Sequence, residues 1–233
     1  MTTAGEKCNI ARLDLAQGRV KEMGISKFRA SVMIVAVLLT GCRAEKVEVR
    51  LTAEEIVAAA NGQTASVGFE TEVGERYTKV DSEKRAMIDA VAKLIEAKFP
   101  GADVEVDIGS DEYAIEIKGD VALSSSDPGQ GAPWYISAQK VGDAISVSLL
   151  PSDRFGSFKT DMEALNTMIG PDEYQPVEFR FTASSGRVLV GGAYIDGVPT
   201  GFAEIPMSGQ TVKMLFKGGV WEETSGTFLY IPN

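Results

Sequence analysis

The chain has 233 residues, with 33 acidic against 23 basic side chains and a formal net charge of −10. An acidic balance of this size, with no basic cluster to offset it, repels a phosphate backbone and excludes nucleic acid as a partner. Histidine is absent, which removes Ser-His-Asp and Cys-His catalysis, imidazole metal sites and the commonest general base in one step.

Taken in chain order, the first feature is the apolar run from Ala30 to Leu39. It is about half the ~20 residues a helix needs to cross a bilayer, and it has no polar face, unlike a helix packed on a core. Met23, then Lys27 and Arg29, stand ahead of it, so "MGISKFRASVMIVAVLLTGC" reads as a start, a basic segment and the apolar segment of an export signal. Met1 to Glu22 is then upstream sequence from an early start codon. The run ends in Leu39, Thr40, Gly41 and Cys42, which resemble the lipobox of bacterial lipoproteins. The resemblance implies cleavage after Gly41, a diacylglycerol thioether on Cys42 and acylation of the new amino terminus. Each buried methylene contributes about 0.8 kcal/mol and firm attachment takes more than one chain. Arg43 occupies the position where Asp retains such proteins in the inner membrane, so the resemblance implies the periplasmic face of the outer membrane.

Removing residues 1–41 takes six of the 23 basic and three of the 33 acidic residues, leaving 192 residues with a net charge of −13. Cys8 is lost and Cys42 is acylated, so no thiol remains for a disulfide or a thiolate metal site, and a domain of this size is stable without one. Residues 43–46 then separate the lipid from the first strand and reach at most about 14 Å.

In "KVEVRLT", Val47, Val49 and Leu51 alternate with charged residues, the pattern of a half-buried strand. Thr52 and Glu55 form a capping box for a helix over "AEEIVAAA", which Asn61 and Gly62 close. A strand over "TASVGFETEV" precedes the clearest helix, "SEKRAMIDAVAKLIEAKF", capped by Asp81 or Ser82 and stopped at Pro100 and Gly101. Strands "DVEVDI" and "YAIEIKG" follow. Ser124 to Pro133, rich in Ser, Gly and Pro, breaks all periodicity and reads as a linker.

Beyond it come strands "WYISAQK" and "AISVSLL" and a helix over roughly "SFKTDMEALNTMI" with Phe158, Met162, Leu165 and Ile169 on one side. Strands "VEFRFTA", "RVLVGGAYI", "GFAEIPM", "TVKMLFK" and "GTFLYIP" complete the chain. The order predicts an α+β class, with antiparallel sheets each covered by a helix. It also predicts a tandem strand-helix-strand-strand duplication, in which Val104, Glu105 and Val106 match Val177, Glu178 and Phe179. The expected domains are 42–123 and 134–233, joined by the linker 124–133 and preceded by the signal segment 1–41.

Carboxylates are the remaining reactive groups. Asp103, Glu105, Asp107, Asp111 and Glu112 invite a calcium site, but alternate side chains on a strand stand about 6.8 Å apart, too far for three to close on one ion. A solvated acidic face is expected instead, with no metal and no cofactor. Trp134, Tyr135, Tyr194 and Trp221 are candidates for a ligand groove or for core and hairpin anchors.

"VEVRLTAEEIVAAANGQTASVGFETEV", "DSEKRAMIDAVAKLIE" and "IEIKGDV" together resemble an uncharacterised lipoprotein domain of bacteria and their phages. The expectation is a non-catalytic interaction or structural module of the cell envelope, held by membrane lipid through Cys42 and engaging an envelope protein. The alternatives are a phage or prophage lipoprotein that shields a receptor against superinfection, and a hydrolase with paired carboxylates.

Overall fold

The alternation in "VEVRLT" forms strand β1, Val47–Thr52, with Val49 and Leu51 turned into the core. Here and below the fold is that of a computed structural model, which describes residues 46–76, 78–166, 170–217 and 226–233. Cys42, Gly41 and the rest of the export signal lie outside the described residues, as does Trp221.

Thr52 ends β1 and at the same time caps helix α1, Ala53–Ala60: Glu55 N donates to Thr52 Oγ1, and Thr52 N donates to Glu55 Oε2 at 2.8 Å. Strand β2 spans Ala65–Arg76 and helix α2 spans Ser82–Lys98, capped by Asp81. Strands β3 (Asp103–Ile108), β4 (Glu112–Ser124), β5 (Trp134–Val141) and β6 (Ala144–Pro151) follow, then helix α3 over Phe155–Leu165. The last five strands are β7 (Val177–Thr182), β8 (Arg187–Ile195), β9 (Val198–Pro206), β10 (Thr211–Phe216) and β11 (Thr227–Ile231).

All eleven strands belong to one sheet, in the order β10-β7-β1-β2-β4-β5-β6-β11-β8-β9, with β3 appended to β4. A further pairing of β10 with β8 closes nine of them into a barrel. This overturns the expected α+β class: half of the described residues are strand and a fifth are helix, and the sheet covers its apolar face by curling around it. Val49, Phe179, Phe181, Met214, Phe228, Leu123 and Ile136 fill the interior with under 2% exposure. Helix α1 packs against β1, β2, β4, β5 and β6 with Ile56 and Ala59 fully buried, so it stoppers one end. Helices α2 and α3 lie together over the opposite end, joined by an ion pair between Lys98 and Asp161.

The expected duplication is also corrected. β3 hangs from the outer edge of β4 with its residues largely exposed, whereas β7 is a buried stave of the barrel. The partner of β7 is β1, which runs parallel to it in register: Val47, Glu48, Arg50 and Thr52 face Val177, Glu178, Arg180 and Thr182. The likeness of "VEVRLT" to "VEFRFT" therefore marks adjacent staves rather than two separate modules.

Segment 124–133 returns the chain from β4 to the parallel strand β5. Parallel neighbours usually need a long crossover, but β4 and β5 share only the pairs Leu123 with Ile136 and Ser124 with Ser137, so a short loop suffices. Asp127 Oδ1 accepts from Gly129 N at 2.8 Å, and Ser152 ties the loop to the β6–α3 turn through Ala132 O at 3.0 Å and Pro133 O at 2.8 Å. Strands from both sides of this segment enter the same ring. Helix α3 starts earlier than the expected "SFKTDMEALNTMI" and ends at Leu165, which is 42% exposed, while Phe155 is buried; Ile169 lies outside the described residues.

Candidate functional site

Five strand residues singled out for their acidity, Asp103, Glu105, Asp107, Asp111 and Glu112, are all exposed on β3, the following turn and the start of β4. Among the described residues no group of three or more acidic or cysteine side chains is placed to hold a metal ion. The more shielded carboxylates are Glu48 and Glu178, on the outer face of β1 and β7. In-register parallel pairing sets like charges side by side there, and the diagonals resolve it: Arg180 bonds to both glutamates, and Lys46 Nζ approaches Glu178 at 2.9 Å. Burial would raise the Glu178 carboxyl, but the hydrogen bonds from Lys46 and Arg180 outweigh it and hold its pKa below the ordinary 4.5. A general acid needs the opposite shift.

Of the four aromatic candidates, Trp221 lies outside the described residues, and the other three do not assemble into a groove. Trp134 and Tyr135 are consecutive on β5 and so point to opposite faces. Tyr135 is buried against the 124–133 loop, where desolvation and then Asp127 push its hydroxyl pKa up. Tyr194 lies at the far β8–β9 hairpin, with Lys217 Nζ 4.4 Å from its ring centre. Trp134 alone joins a cluster, with Phe99, Phe155 and Phe158 at 6.1, 5.3 and 5.8 Å between ring centres.

Trp134, Phe99 and Phe158 of that cluster form one wall of a cavity between the barrel and its helical cover. The barrel contributes Val47, Phe69, Thr71, Val73, Ile117, Val121 and Leu149. Helices α2 and α3 contribute Ile95, Phe99, Phe158 and Met162, and the α3–β7 connection adds Pro171 and Gln175. The volume is about 60 Å³ and the lining is almost wholly apolar. Gly119 makes room at this end: a Cβ there would stand 2.9 Å from the Cβ of Ala102 and 3.2 Å from the Phe69 ring.

Three polar side chains line or border the space. Thr71 Oγ1 donates to Lys46 O at 2.9 Å, and Trp134 Nε1 donates to Glu173 O at 2.9 Å. Gln175 Nε2 donates to Asp172 O at 2.7 Å, while its Oε1 is buried without a hydrogen-bond partner. Buried polar atoms are almost always paired, so this oxygen calls for an explanation. Sequence reasoning missed Gln175, because a glutamine in an irregular connection carries no periodic signal.

No protein-family model and no curated protein matches the chain.

Proposed function

We propose that the chain is a non-catalytic, lipid-tethered interaction module of the bacterial cell envelope, held by acylated Cys42 at the periplasmic face of the outer membrane. The observation that carries this reading is spacing. β1 begins at Val47, so with Cys42 acylated only residues 43–46 lie between the lipid and the barrel wall, a reach of at most about 14 Å. A body held that close presents its charged outer staves and its β8–β9 hairpin to whatever shares the membrane surface.

The chemistry of the carboxylates supports binding over catalysis. Glu48 and Glu178, the most shielded of them in the barrel wall, are engaged by Lys46 and Arg180, and the cavity is lined by no charged group. In-cell crosslinking with a lysine-reactive reagent tests the reading. Wild-type protein should give one discrete protein adduct that disappears in Cys42→Ser; adducts that persist unchanged without the anchor, or capture of lipid alone, would count against it.

A further inference from the structure

Strand β9 lies at one end of the sheet order and pairs only with β8. Ala203 and Ile205 turn back onto the core, so Val198, Thr200 and Phe202, at alternate positions, share the face that points away from it. Among the described residues, Phe202 at 70% and Val198 at 63% are the most exposed large apolar side chains. The two carboxylates of the β8–β9 hairpin are engaged: Glu204 accepts from Arg187 Nη1 at 2.7 Å, and Asp196 in the turn accepts from the Lys213 N–H at 3.4 Å. Pro199 and Pro206, near the two ends of β9, have no N–H to donate, a common device against strand addition, so what the hairpin offers is its side chains rather than a free edge.

We propose that this hairpin is a second membrane contact, in which Val198 and Phe202 enter the boundary between headgroups and acyl chains of the bilayer that holds Cys42. The inference rests on the tether proposed above and adds which part of the barrel meets the lipid. Strand register places the hairpin beside the root of the tether. Glu48 pairs with Glu178, Glu178 with Leu215, Leu215 with Tyr194 and Tyr194 with Pro199. At about 4.8 Å per strand, Pro199 is about 19 Å from Glu48 around the wall. A straight line across the curved wall is shorter, so a bilayer within the ~14 Å reach of residues 43–46 also meets the hairpin. At the stem of the hairpin Lys217 Nζ lies 4.4 Å from the ring centre of Tyr194, a cation and an aromatic ring of the kind that a headgroup layer accommodates.

With residues 1–41 removed and Cys42 acylated the chain holds no free thiol, so Thr200→Cys, between the two apolar side chains, takes up a spin label at that position alone. In vesicles of phosphatidylethanolamine and phosphatidylglycerol carrying the acylated protein, collisions of this label with oxygen should rise and those with a water-soluble nickel chelate should fall. The reference is a label at Val141→Cys, a position 58% exposed on the β5–β6 hairpin, which should stay in water. Val198→Ser combined with Phe202→Ser, both outside the core, should return the Thr200→Cys label to the level of that reference. The proposal is overturned by labels at the two hairpins that respond alike, or by immersion that survives the double substitution. It is equally overturned by a Thr200→Cys label shielded from both reagents and broadened by a neighbouring spin, which would mark a second copy on this face. Uptake of label by the unsubstituted chain would mean that Cys8 or Cys42 is free; that result refutes the tether itself, and the contact falls with it.

Discussion

Replacing Phe179 by alanine tests whether the ring of strands is continuous. Its side chain is fully buried, packed edge-on against Phe216 at 6.1 Å and Phe228 at 5.3 Å, so truncation leaves a hole that three strands must line. Such a change costs about 3–5 kcal/mol, and with a urea dependence of about 1–3 kcal/mol per molar the midpoint falls by about 1–5 M. In a closed barrel the loss is shared by every stave. Amide exchange in β2 and β4, measured by mass spectrometry on peptides covering 65–76 and 113–124, should therefore accelerate at least ~100-fold where it proceeds by global opening. Two independent modules would confine the acceleration to residues beyond 134. Unchanged protection in β2 would refute the closed ring.

Gly74 lies where a Cβ would stand 2.3 Å from the carbonyl oxygen of Tyr113, so Gly74→Ala should destabilise by about 1–3 kcal/mol in chemical denaturation, whereas Gly68→Ala, with open space around it, should not. Thr52→Ala removes the cap of α1 and should cost about 1 kcal/mol by the same assay. Glu178 titrates below its ordinary 4.5, so its ion pairs contribute stability that is present above that pH and lost as pH falls through the lowered value. The stability gap between wild type and Glu178→Gln should accordingly shrink on acidification below about pH 4.5, as read from thermal melts across a pH series.

Local elements were legible because each has a local cause. The alternation of Val47, Val49 and Leu51, the Thr52–Glu55 box and the Asp81-capped helix over "SEKRAMIDAVAKLIEAKF" all sit in the structure as their sequence predicts. What was not legible is how the apolar faces are covered. A strand such as β7 buries alternate residues equally well under a helix or around the inside of a barrel, so period-two burial cannot separate the two. Closure rests on pairings between residues far apart in the chain, Val47 with Val177 and Met214 with Ile195. One signal did exist in the shared V-E-x-R-x-T of β1 and β7. The Pro- and Gly-rich 124–133 segment read as a linker because its composition does not reveal Asp127 and Ser152 as its fasteners. At the cavity, apolar positions such as Phe69 and Ile95 followed from pattern, but Gln175 matters only through the burial of one oxygen. Opposite orientations of Trp134 and Tyr135 follow from strand geometry alone and argue against a groove shared by the two.

The claim on which the functional account stands is a lipid-bearing Cys42 a few residues ahead of the barrel, and intact-mass spectrometry of the protein extracted from cell envelopes tests it most directly. The account predicts a chain that begins at Cys42 and carries diacylglycerol with a further acyl group on its amino terminus. A membrane-extracted chain that retains residues before Cys42, or whose Cys42 is unmodified, would contradict it.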